Sequence, residues 1–154
     1  MPLLHAILLY LHLLAGAFWV GGMALMHWGV RPAAVAMLEP PQRLPFLAAT
    51  LQRFFAGVVA AIIVLLVSGL GMVFGAGGFG SVHWSVHAMF GIGLAMMAIF
   101  GHVRWGVYPK LRRAVSAREW PAAAAALNTI RRLVELNLAL GVLVFAVIVI
   151  GRAL

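Results

Sequence analysis

The chain reads as an all-α protein, a four-helix transmembrane bundle. Its 154 residues are 65% hydrophobic and only 9% charged, and the mean hydropathy is +1.09. A soluble domain of this size has too little interior to hide that much apolar surface. Uncharged runs cover residues 1–30, 54–103 and 136–151. A helix needs about 20 apolar residues to cross the hydrocarbon core, so the long middle run holds two crossings. The glycine-rich GAGGFGS at 75–81 separates them. Four helices are therefore expected at roughly 4–30, 54–74, 84–107 and 130–151, within a single domain over 1–154.

Each helix has its own support. The first opens on MPLLHAILLY, which has no basic residue, and its apolar run is far longer than the core of a secretion signal. It is read as a membrane helix. Before the second, EPPQRLP at 39–45 is a proline-punctuated turn. The third begins at WSVHA, residues 84–88, and ends among basic residues. In SAREWPAAAAALNTIRR, residues 116–132, a helix is expected to begin near Pro121 and run on into the fourth span, since proline is tolerated in a first helical turn. Glu135 lies one turn after Arg131, and an i, i+4 pair reduces the cost of a carboxylate near the membrane edge.

The net charge of +8 is distributed to one side. Arg31, Arg43 and Arg53 border the first connection; Arg104, Lys110, Arg112, Arg113, Arg118, Arg131 and Arg132 border the third; only Arg152 lies opposite. Basic connections stay cytoplasmic. Both termini and the glycine-rich loop are therefore expected on the outer, periplasmic side of a bacterial inner membrane. Trp28, Trp105, Tyr108 and Trp120 then fall at the inner interface and Trp84 at the outer one, as an aromatic belt would place them. The charge is a topology signal toward a lipid bilayer and not a nucleic-acid surface. Cysteine is absent, which excludes disulfides, thiolate metal sites and thiol catalysis.

The histidines carry the chemistry. All six lie on or beside the first and third helices. His12 and His27 are fifteen residues apart, as are His87 and His102, a rise of about 22 Å. His12 and His87 thus share the outer depth, and His27 and His102 the inner. Gly16 follows His12 by four residues and Gly91 follows His87 likewise, while HWG at 27–29 is echoed by HVRWG at 102–106. Two facing imidazoles are suitable axial ligands for a haem iron, and a nearby glycine leaves room for the macrocycle. His5 and His83 lie close enough to the outer pair in sequence for the four to form one cluster, and with methionine thioethers from MALMH (23–27) or MM (96–97) such a cluster suits copper.

HLLAGAFWVGGMALMHWGVRPA at 12–33, RFFAGVVAAIIVLLVSGL at 53–70 and RRLVELNLALGVLVFAVIVI at 131–150 resemble the membrane core of the CopD family, named for copper resistance. The shared motifs are the aromatic-Trp-x-Gly-Gly segment, the Arg-Pro after the first helix and the Arg-Phe opening the second. The chain is also similar to HemJ-type porphyrinogen oxidases, four-helix haem proteins, in the histidine upstream of Trp19 and in the WSVHA opening. It differs in having Met89 where those proteins carry a lysine. Taken with the histidine spacing, the resemblance implies a b-type haem protein that passes electrons from a membrane quinol to an acceptor at the outer face. One or two haem b groups would be held by His12 with His87 and by His27 with His102. Arg31, Arg53 and Arg104 are candidate partners for inner-side propionates. The alternative is a copper-handling or copper-transport protein using the outer histidines, and a third reading is a HemJ-like oxidase.

Overall fold

In the computed structural model, which describes residues 2–151, the architecture consists of four long helices. They are α1 (Pro2–Met37), α2 (Pro40–Gly75), α3 (Trp84–Ser116) and α4 (Trp120–Gly151), each long and apolar enough to cross a membrane. No strand occurs among the described residues. The all-α expectation holds. Arg152, the one basic residue expected on the side of the termini, lies outside the described residues.

Three helices extend well beyond their apolar runs. The residues expected to form a turn before α2 are instead its first turns, with Glu39 extended at the N-cap and Pro40 in the first helical position. Proline suits that place because its fixed φ is already helical and the amide it lacks has no partner there. Beyond it, Leu44, Leu47, Ala48 and Leu51 are buried while Gln52 and Arg53 are exposed. That is the spacing of an amphipathic helix, which a search for uncharged runs passes over. α1 and α3 likewise run on past their apolar runs, each through a widened π-helical turn, Met26–Val30 in α1 and His102–Val107 in α3. The expected start of α4 near Pro121 agrees with the structure.

The connections are tight. At the end of α2, Gly78 N–H bonds the Val73 carbonyl and Gly77 N–H the Phe74 carbonyl, with Gly77 at φ 98°. This is the left-handed Schellman closure, and it explains why glycine interrupts the long run. The end of α3 closes the same way, with Arg118 in the left-handed position at φ 57°.

α1 packs chiefly on α2, and α3 on α4; α1 also meets α4, and α2 meets the later part of α3. A hydrophobic cluster drawn from all four helices fills the centre. Trp19, Phe100, Phe55 and Tyr108 run through it as successive edge contacts, with centroids 6.1, 5.6 and 5.4 Å apart. Such pairs each contribute about 0.5–1.5 kcal/mol beyond area burial. Because lipid is as apolar as the core, helix association here depends on close packing. Gly22 lies beneath the Phe54 ring, Gly57 beneath Phe18 and Gly141 beneath Val20, each where a larger side chain would collide. Leu9, Ile63, Val67, Phe74, Val142 and Val149 point outward, the face a bilayer would cover.

Candidate functional site

The chemistry-bearing residues fall at two ends of the bundle, one marked by the glycine-rich loop and the other by the arginines. Near the glycine-loop end, His12 of α1 is half-buried and turned toward α2. Its Nδ1 lies 2.9 Å from Ser68 Oγ. Ser68 is only 2% exposed and its hydroxyl donates back to the Val64 carbonyl, the usual way a serine in a membrane helix satisfies itself. A Cβ on Gly69 would come within 3.1 Å of His12 Cε1. The imidazole thus occupies a seat made by a hydroxyl and a bare stretch of backbone.

The other histidines at this end have different partners. His87 is exposed and its ring lies 5.9 Å from that of Phe79 in the loop. His83 caps α3: its Nδ1 accepts from the Ser85 backbone N–H at 3.4 Å and lies 2.9 Å from Ser85 Oγ. His5 is exposed. Among the described residues no three His, Cys, Asp or Glu side chains converge to hold a metal ion. The four-histidine cluster expected here is therefore not assembled, because His12 and His83 are each held by a serine, on α2 and at the start of α3.

At the arginine end, both histidines sit on widened turns. His27 faces α4, with Nδ1 3.5 Å from Glu135 Oε1, and Arg131 NH1 is 3.6 Å from the same oxygen. The α1 turn thus brings an imidazole to the one acidic residue that lies in the apolar part of α4. His102 is exposed in a groove between α3 and α4 shared with Lys110, Arg113 and Thr129. His27 and His102 therefore point to different surroundings. Arg104 lies over the Tyr108 ring at 5.6 Å, and Tyr108 donates its buried hydroxyl to the Ala48 carbonyl at 2.9 Å. Arg31 is half-buried and Arg53 exposed.

Two features of this arrangement were not expected from the sequence. Ser68 had no signal beyond being a serine in an apolar run. The widened turns did leave a trace, for GVRP at 29–32 and GVYP at 106–109 follow the two histidines in parallel.

With this arrangement of a polar seat inside an apolar bundle, the comparison with known families becomes informative. Residues 48–150 match the family model described as CopD, copper resistance protein D. The chain belongs to the CopD family. No curated protein and no solved structure matches it. As a CopD protein it is a multi-pass membrane protein related to copper resistance, with the bilayer as its environment.

Proposed function

We propose that this CopD protein handles copper within the membrane, receiving the monovalent ion as its substrate on His12. Membership in a family described by copper resistance carries the reading. The seat of His12 supports it, since an imidazole held by a second residue inside a span is a ready ligand. Monovalent copper favours imidazole and thioether donors over carboxylates. By the placement of the arginines, the glycine-loop end and both termini face the periplasm of a bacterial inner membrane, with the four helices acting as one domain.

The electron-transfer reading ranks below this one. Haem b on His12 and His87 calls for two imidazoles facing each other across a slot. His12 is instead turned to Ser68 of α2 and His87 lies against Phe79. The second pair is directed apart, His27 to Glu135 and His102 to its groove. The quinol partner, the propionate roles of Arg31, Arg53 and Arg104, and porphyrinogen oxidation belong to that lower-ranked reading.

The test is a titration of detergent-purified protein with copper kept reduced, in competition with a chromogenic chelator. The wild-type chain is expected to take about one ion and to stay colourless, and His12→Ala to lose most of that affinity. Equal affinity in the two chains would sink the proposal. A red preparation with sharp low-spin bands on reduction would restore the haem reading.

A further inference from the structure

The contacts of His12 settle more than its position. We propose that Ser68 fixes His12 as the Nδ1–H tautomer, leaving Nε2 as the nitrogen that takes the copper ion. The inference deepens the copper reading and rests on it for the identity of the ion.

Neutral imidazole carries one N–H and one lone pair, and the proton can sit on either nitrogen. A serine hydroxyl has a single proton. Around Ser68 Oγ stand three groups: the Val64 carbonyl, which makes its shortest contact, the Leu65 carbonyl at 3.4 Å and His12 Nδ1 at 2.9 Å. Carbonyl oxygens only accept. The hydroxyl proton therefore belongs to Val64, because two bare oxygen lone pairs would otherwise face each other at hydrogen-bond range. With its proton spent there, Ser68 Oγ can only accept from His12, so Nδ1 must bear the hydrogen.

Burial makes the choice strict. Ser68 is 2% exposed, and inside a bilayer no water replaces a partner that is lost. Turning the ring over would set a carbon against the hydroxyl. Gly69 lets the ring lie against the α2 backbone, with Cε1 3.1 Å from where a Cβ would stand. Nε2 is then the free lone pair, on the side of the ring away from Ser68.

Histidines that bind metals commonly donate their second nitrogen to an outer partner, which fixes the tautomer and raises the basicity of the ligating atom. Ser68 is such a positioning residue. It touches the imidazole and not the ion.

The experiment uses the full chain in lipid bilayers, labelled with nitrogen-15 in histidine, with His12→Ala identifying the His12 signals. Wild-type protein should show a bonded proton on Nδ1 and an unprotonated Nε2, and silver(I), a redox-inert stand-in for copper(I), should move the Nε2 signal. Ser68→Ala should mix the tautomers and weaken copper(I) binding by about 10–100-fold. Ser68→Thr, which keeps the hydroxyl, should restore both. A wild-type Nε2–H tautomer overturns the proposal without reference to any variant. So does Ser68→Ala with tautomer and affinity unchanged. If the Nδ1–H tautomer is found but neither ion binds, the copper reading falls and the Ser68 assignment stands.

Discussion

Besides the Tyr108 hydroxyl, three polar side chains are buried among the described residues: Ser68, Ser85 and Asn137. The first two lie against histidines, His12 and His83. Asn137 differs. Its amide donates to the Met96 carbonyl at 3.3 Å, which ties α4 to α3, while its Oδ1 has no partner. A neutral hydrogen bond contributes about 1 kcal/mol and an orphaned buried acceptor costs about 1–3 kcal/mol. Asn137→Leu, which keeps the branched shape and the number of heavy atoms, is therefore expected to be neutral or stabilising in detergent unfolding. A loss above about 2 kcal/mol would show that Oδ1 has a partner such as a bound water. At this scale the sequence was partly legible. His12 stood out because histidine is rare in an apolar run. Ser68 did not, because its role depends on which face α1 turns to α2, and that is decided by Phe18 over Gly57 and Phe54 over Gly22.

Among the elements, the α1–α4 contact is sensitive to volume. A Cβ on Gly141 would lie 2.7 Å from Val20 Cγ2 and 3.3 Å from Met96 Cε. Valine is stiff about χ1 and cannot swing aside easily. Gly141→Ala should destabilise the bundle by about 1–3 kcal/mol through overpacking, and Val20→Ala in the same chain should recover most of the loss. A double variant no more stable than Gly141→Ala would place the strain elsewhere. The existence of all four helices was readable, since twenty apolar residues have few other uses. Their ends were not. In the first half of α2 the signal changes from an uncharged run to a buried stripe of Leu44, Leu47 and Leu51 beside exposed Arg53, and proline, normally a stop, serves there as a start.

For the whole molecule, orientation is the property on which the copper reading most depends. The basic residues gather at the end of the bundle that holds the turn after α3, and they should stay cytoplasmic. Reporter domains fused after Leu154 and inserted in the turn at 117–119 are expected to report opposite compartments, with the fused terminus outside. A cytoplasmic terminus would reverse the orientation and make the His12 seat an exit toward the cell interior. The seat itself would be unchanged, since the Ser68 contact lies wholly within the α1–α2 pair. Charge placement was readable from residue order alone, because lipid leaves arginine few positions. The pairing of His27 with Glu135 was not readable, because it requires α1 to widen at one turn.

That widening keeps two helix halves in phase although the chain carries a surplus residue between them. A π turn holds one residue more than α-helical winding would require. Removing a single residue from Met26–Val30, Gly29 for instance, should let the backbone close to ordinary winding, with the halves on either side still in phase. His12 would stay against Ser68, and His27, which the widened turn carries to Glu135, would be the side chain displaced. The same holds for α3, where one residue lost from His102–Val107 would move His102 and leave His87 in place. The surplus residue at each turn thus serves the turn itself and not the distant end of the helix. A deletion of Gly29 is expected to leave copper binding on His12 intact, while helix content in circular dichroism stays the same.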